Sequence, residues 1–299
     1  MRILVTGLGG FLGKAVGRLL AKEKHQILGF IQKSSSLDVD CPNFFFHKCD
    51  LREPNSYKKE IAQFAPQILV HLAWKGIPDF SMVNCLDNIQ MSIDLVDAVV
   101  ASGSCRKILV AGSCFEYDQL IGACFEENLG KPKDSFTWAK HSLLSYLNLV
   151  CQKNHIILGW MRPFYIYGPN QRSGSLIPTV FSALKEKRLP DLRTPKNSND
   201  FVYVDDVACG FSLAVEKEIP SGIYNLGSGV VTSVSDICEL AENLVTGGRS
   251  LTDELKSRTK ETNQSCAFWA DCSRSEKFLG WKATTSLNEG VRLYQDSIS

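Results

Sequence analysis

Short apolar runs alternating with stretches of helical spacing dominate the first half of the chain. RILVTG (2–7), QILGFI (26–31), FFFHKC (44–49), QILVHLA (67–73) and KILVAGS (107–113) have the length and composition of buried strands. Between them, LGKAVGRLLAKE (12–23), SYKKEIAQF (56–64) and NIQMSIDLVDAVVAS (88–102) carry apolar residues at helical period. Near-continuous apolar strands separated by helices predict a parallel sheet covered on both faces, an α/β architecture. WAKHSLLSYLNLVCQK (138–153) and HIILGWMRP (155–163) add one more helix and strand.

The texture changes after Pro163. YGPNQRSGS and RLPDLRTPKNSND are rich in Pro, Gly, Asn and charge and read as loops, with helices expected at about 175–187 and 205–217. The expected organisation is a large unit over 1–163 plus about 201–223, and a smaller discontinuous lobe over about 164–200 plus 224–299. There is no internal repeat.

Composition narrows the function classes. A net charge of +1 over 299 residues argues against general nucleic-acid or membrane-surface binding. No uninterrupted apolar run reaches the roughly 18 residues a membrane span needs, and MRILVTG is too short an apolar run for a signal peptide. The eleven cysteines are scattered without a CxxC pair, which fits reduced thiols in the cytoplasm, chiefly as small core residues. No metal site is expected.

VTGLGGFLGK places Gly7, Gly10 and Gly13 directly after the first strand and at the opening of the first helix. Such a turn lets backbone N–H groups approach a pyrophosphate, and the helix N-terminus adds positive potential there. The second strand ends in Ile31, Gln32, Lys33 and serines, with no carboxylate before Asp38. A carboxylate there would accept from a ribose hydroxyl, whereas Lys33 suits a 2′-phosphate. NADP(H) is therefore favoured over NAD(H).

TGLGGFLG (6–13), CDL (49–51), VHLAW (70–74), AGSCFEY (111–117), FTWAK (136–140), MRPFYIYGP (161–169) and DFVYVDDVA (200–208) occur in an order that resembles a known family. It is the extended short-chain dehydrogenase/reductase family, specifically its NAD(P)-dependent nucleotide-sugar epimerases, dehydratases and 4-ketoreductases. The resemblance implies a Rossmann-type doubly wound parallel sheet with a smaller C-terminal substrate lobe. It also implies that Phe11 and Leu12 complete the glycine turn, that Asp50 and Leu51 contact adenine, and that Leu72 and Ala73 line the nicotinamide side. Asn88 would support the neighbouring helix, Lys140 would hold the nicotinamide ribose, and Pro163 would close over the ring. Ser113 would hydrogen-bond the reacting sugar oxygen, while Trp74, Tyr165, Arg172 and Arg193 would face a nucleoside-diphosphate sugar. The family dimerises through the helices at 88–102 and 138–153, so a homodimer is implied. Asn199 stands where the family usually has an Arg before DFVYVDD.

The chemistry such a site performs is hydride transfer, with a protein group handling the hydroxyl proton. The family places a Tyr four residues before the Lys; here it is Phe136, which carries no proton. Three readings follow: an active-site Tyr→Phe form, an enzyme with a substitute acid (Tyr117, Tyr165 or Cys114), or a cofactor- and sugar-binding protein without catalysis. The 4,6-dehydratases carry an Asp-Glu pair after the Ser/Thr, and Cys114 and Phe115 stand there instead. Glu116, one place later on an expected strand, would point to the other face. A 4-ketoreductase is expected ahead of a 4-epimerase, since NADP suits hydride taken up from outside.

Overall fold

The structure, a computed structural model, describes residues 1–32, 42–118, 121–128, 130–192, 197–248, 251–254 and 267–298. Its centre is a seven-stranded parallel sheet. In chain order the first strands and helices are β1 (Arg2–Thr6), α1 (Phe11–Leu20), β2 (Gln26–Ile31), β3 (Phe44–Lys48), α2 (Lys58–Phe64), β4 (Ile68–His71), α3 (Met82–Ala101) and β5 (Lys107–Ala111). After a 3-10 turn at Cys114–Glu116 come β6 (Gly122–Cys124), α4 (Ser135–Lys153), β7 (Ile157–Pro163), β8 (Tyr165–Tyr167), α5 (Leu176–Lys185) and β9 (Ser198–Tyr203). The remainder is α6 (Val204–Glu216), β10 (Gly222–Leu226), β11 (Val231–Ser233), α7 (Val234–Thr246), β12 (Phe268–Ala270), α8 (Ser273–Leu279) and α9 (Leu287–Ile298).

The large sheet runs β3-β2-β1-β4-β5-β7-β10. After β3 the chain returns to the other side of β1, so strand order reverses between β1 and β4. That reversal opens a crevice at the carboxyl ends of the strands, where ligands bind in such sheets. Alternation along β1 sends Ile3 and Val5 into the core under α1 and α6, and Leu4 into the opposite core under α2, α3 and α4. Lys107, buried at the start of β5, donates to the carbonyls of Ala214, Val215 and Lys217 and caps the negative end of α6.

The smaller lobe packs α5, α7 and α9 around Phe181, Phe201, Ile237 and Tyr294. It carries a three-stranded sheet, β11-β9-β8, and a parallel pair, β12-β6. The chain crosses between the units later than the sequence predicts. β10 pairs with β7 in the large sheet through Leu226, beyond the expected changeover at 224. Leu279, the last residue of α8, and Trp281 just beyond it join the core under α6. Asn225 on β10 is fully buried and uses every polar group it has. Its N–H donates to Glu126, its carbonyl accepts from Ser275, its Oδ1 accepts from Tyr117, and its Nδ2 donates to the carbonyls of Cys124 and Asp271.

α3 begins at Met82, six residues before the periodic stretch, because Met82, Val83 and Leu86 in its first turns are exposed apolar side chains that hide the period. β9 went unread because Asn199 and Asp200 interrupt its apolar pattern. Both are buried, and the Asp200 carboxylate accepts from the backbone N–H groups of Ser228, Gly229 and Ala270 and from the Ser228 hydroxyl.

Candidate active site

The glycine turn is built by close approach. Gly7 has φ +77°, a left-handed conformation that side chains resist, and its carbonyl accepts from Gly10 N–H at 2.9 Å. A Cβ on Gly13 would lie 2.0 Å from the Gly7 carbonyl oxygen, and one on Gly7 would lie 2.7 Å from Ala73 N. α1 starts at this turn with Gly10 as its N-cap, and no side chain caps it. In front of it lies a cavity of about 310 Å³ lined by Gly7, Gly10, Asp50, Leu72, Ala73 and Trp74, among others.

Leu51 also lines this cavity, so the sequence-predicted adenine and nicotinamide positions meet in one crevice at the strand-order reversal. Phe11, Leu12 and Gly13 lie behind it in the first turn of α1. Lys33 and Arg193 fall outside the described residues. Arg52 grips the Asp50 carboxylate, its Nη2 2.5 Å away, and its hydrogen bonds hold Asp50 ionised with a pKa lowered to about 2.

Beneath the crevice runs a polar chain that the sequence reading missed. Ser92 Oγ donates to the Asn88 carbonyl at 2.6 Å, so it must accept from His71 Nε2 at 3.0 Å. His71 Nδ1 then accepts from the Thr6 hydroxyl at 2.7 Å. Burial, with the nearby Lys140 charge, lowers the His71 pKa to about 3 and keeps the ring neutral. Asn88 ends the chain by clamping the loop after β4. Its Oδ1 accepts from Lys75 N–H, and its Nδ2 donates to the carbonyls of Lys75 and Asn84.

At the far wall, α4 delivers Phe136 and Lys140 one turn apart. Phe136 is buried, with its ring 4.6 Å from that of Phe80 and edge-on to Trp74 at 5.5 Å. Lys140 Nζ sits 3.8 Å from the Trp74 ring centroid and donates to the Ala111 carbonyl at 2.8 Å. Burial of the ammonium lowers its pKa to about 8, with Glu116 opposing the shift.

Ser113 caps the 3-10 turn by accepting from Phe115 N–H. Glu116 is on that turn, not on a strand, and it points inward. Its buried carboxylate accepts from Ser113 N–H at 2.6 Å and from the Trp160 indole at 2.9 Å. Arg162 Nε donates to it at 3.0 Å, and Arg162 Nη2 lies 2.9 Å away in ion-pair contact, off the hydrogen-bond direction. Trp160 and Arg162, two apart on β7, share one face; that spacing beside a lone Glu was the signal available in the sequence.

The sequence profile of the NAD dependent epimerase/dehydratase family matches residues 3–227. The chain belongs to this family. It is 26% identical to UDP-glucuronate 4-epimerase of Thermodesulfobacterium geofontis (strain OPF15), over 97% of this chain and 93% of the relative. Its fold is similar to that of UDP-glucose 4-epimerase from Thermotoga maritima, solved with UDP-glucose, with TM-score 0.82 and 20% identity. That likeness covers 100% of this chain and 98% of the other. It is also similar to dTDP-glucose 4,6-dehydratase from Bacillus anthracis str. Ames, solved with NAD, with TM-score 0.80, 20% identity and coverage of 100% and 96%.

Within this epimerase/dehydratase family member, the three substitute acids considered from sequence are poorly placed for proton exchange. Tyr117 is buried and its hydroxyl donates to Asn225 at 2.6 Å. Cys114 is buried, and burial pushes its thiol far above the usual range. Tyr165 packs edge-on to Phe115 and tilted against Phe201 and Phe268, and burial raises its pKa as well. Pro163 ends β7, and Arg172 is exposed in the loop before α5. Among the described residues there is no group of three or more His, Cys, Asp or Glu able to hold a metal, nine cysteines are free thiols, and no helix is long and apolar enough to cross a membrane.

Proposed function

We propose that the chain binds NAD in the glycine-turn crevice and acts on the 4-position of a nucleoside-diphosphate sugar as an epimerase-type oxidoreductase. The dinucleotide fits the residues present: side chains at Gly7 or Gly13 would collide with the backbone of the turn, and the uncapped N-terminus of α1 that this tight turn leads into starts beside the cavity, where a pyrophosphate is favoured. When bound, it supplies a reversible hydride acceptor. The expectation of NADP rested on Lys33 and a missing carboxylate, whereas the family is described as NAD dependent and the dTDP-glucose 4,6-dehydratase above was solved with NAD. Removing that preference also removes the reason for placing 4-ketoreduction first. Epimerisation takes a hydride and returns it, so it needs no external supply.

The observation that carries the reading is Lys140 held under Trp74, on the carbonyl two residues before Ser113. Gly7, Gly10, Asp50, Leu72 and Ala73 bind and orient the dinucleotide, and the Trp74 ring covers one side of the Lys140 ammonium. Ser113 offers its hydroxyl to the sugar oxygen. The position of Arg172 beside α5 suits the diphosphate. Elimination of water is disfavoured, because Cys114 is held protonated and Phe115 packs on Tyr165. The exposed Met82, Val83 and Leu86 on α3 and Trp138 and Leu149 on α4 fit a homodimer through these helices, which sedimentation would measure.

Phe136 favours a second reading, a protein that holds both ligands without turnover. Titration with NAD, NADP and UDP- or dTDP-hexoses, followed by assay of C4 inversion, separates the two. Inversion by the chain or by its Phe136→Tyr variant supports the enzyme; tight binding without inversion in either supports the binder. Tighter NADP than NAD binding would overturn the cofactor assignment.

A further inference from the structure

We infer that Lys140 itself exchanges the proton with the reacting sugar oxygen, in the place that a phenol at residue 136 would serve; this rests on the oxidoreductase reading above. The pocket around residue 136 is walled by Trp74, Ile89, Ala139 and Phe115, which carry no exchangeable acid of suitable strength, and by Cys85. The Cys85 thiol lies against the Phe80 carbonyl at 3.7 Å, and burial raises its pKa. His71 has both nitrogens committed, to Thr6 and Ser92, and stays neutral. Glu116 is consumed by Ser113, Trp160 and Arg162. Tyr117, Tyr165 and Cys114 are excluded as described. His141, the next residue on α4, points about 100° further round the helix and has its Nε2 on the Glu116 carbonyl at 3.1 Å.

Lys140 remains. It lies one helical turn beyond Phe136 on the same face, with its Nζ 5.7 Å from the centre of that ring. One wall of its chamber, Trp74, is also a wall of the dinucleotide cavity. The groups facing it from each packed element are the Ala111 carbonyl of β5, Glu116 of the 3-10 turn, Cys85 of α3, His71 of β4, and the Trp74 and Trp160 rings. Only Glu116 among these is a full charge at neutral pH, so burial prevails and the amine titrates near 8. A lysine tuned to about 7–8 is suited to general acid–base work near neutrality.

The step balances as follows. In the reducing direction a hydride from reduced nicotinamide dinucleotide joins the C4 carbon. The carbonyl π pair becomes the new O–H bond with a proton from the Lys140 ammonium, and the neutral amine regains a proton from solvent. In the oxidising direction the neutral amine takes the hydroxyl proton as the hydride leaves. Reduction therefore needs the charged form and slows as pH rises through about 8, while oxidation needs the neutral form and accelerates through the same range.

The first test is independent of turnover. NMR titration of the lysine ε-groups in the protein without added ligand, assigned with Lys140→Arg, should show Lys140 titrating near 8. A value at or above the roughly 10.4 of free lysine overturns the proposal. The second test is the pH profile of single-turnover reduction of a 4-keto nucleotide sugar. Its rate should fall about tenfold per pH unit above the break, and Lys140→Arg, which stays charged, should abolish the break and cost about 10²–10⁴-fold. A profile unchanged in Lys140→Arg, or moved only by His141→Gln, defeats this inference and leaves the oxidoreductase reading standing. Hydride transfer absent from both the chain and Phe136→Tyr at every pH defeats the two together.

Discussion

Glu116 and Arg162 form an ion pair in which neither side chain is exposed to solvent, at 2.9 Å between Oε2 and Nη2. The same carboxylate fixes the N–H of Ser113, so the buried charge and the candidate substrate contact are mechanically one unit. Glu116→Gln leaves Arg162 charged and unpaired in the core, and should cost about 3–5 kcal/mol of stability, measured by urea unfolding. The double variant Glu116→Gln/Arg162→Met should recover most of that loss. Equal stability of Glu116→Gln and the parent would show that the pair is not closed in solution.

Gly13→Ala puts a methyl group 2.0 Å from the Gly7 carbonyl oxygen, a backbone atom that cannot swing aside. The turn must open, at a cost at or above the upper end of the about 1–3 kcal/mol typical of overpacking. Dinucleotide affinity by calorimetry should collapse along with the thermal midpoint.

Asn88→Ala removes two hydrogen bonds to Lys75 in the loop after β4 and one to the Asn84 carbonyl in the first turn of α3. A loss of about 1–3 kcal/mol is expected from the unsatisfied groups it leaves. Because Lys75 and Trp74 on that loop line the cavity, dinucleotide binding should weaken too. Unchanged affinity would mean that the loop holds its shape without the clamp.

Alkaline pH should unfold the protein early. Burial raises the thiols of Cys49, Cys105 and Cys272 to about 12 and those of Cys124 and Cys151 to about 11. In the unfolded chain they titrate near ~8.5. Their stability contribution is therefore complete below that value and declines as pH rises towards the folded ones. Lys140, lowered to about 8, and Lys107, also lowered by burial, work in the opposite sense over their own window but are two groups against five. Unfolding midpoints in urea between pH 8 and 10.5 should fall steadily; a flat or rising series would contradict the burial of these thiols.

What the sequence revealed follows from which forces have a short-range signature. The strands β1, β2, β4, β5 and β7 are apolar runs whose burial on both faces needs no partner to be recognised, and the glycine turn is legible because its constraint is local. Phe136 was legible for the same reason. Glu116, His71 and Asp200 were not, because a buried charge or ring is distinguished from a solvated one only by partners 46, 65 and 70 residues away. The expectation that strand alternation points Glu116 to the other face failed on a Ser113 cap that turns the chain into a 3-10 helix. The apolar residues of α4 also divide in a way the sequence leaves open: Trp138 is exposed while Leu143, Leu144 and Leu147 are buried.

Asn225 joins β10 of the large sheet to Tyr117, Cys124, Glu126, Asp271 and Ser275, five anchors drawn from two distant stretches of chain. Neither stretch can be withdrawn without stranding amide groups at the sheet's edge. The two units should therefore melt in a single cooperative transition, and a fragment ending before Asp271 should not survive as a stable miniature of the nucleotide-binding half. The crevice and the lobe beside it share one thermodynamic fate, although the chain visits them in alternation.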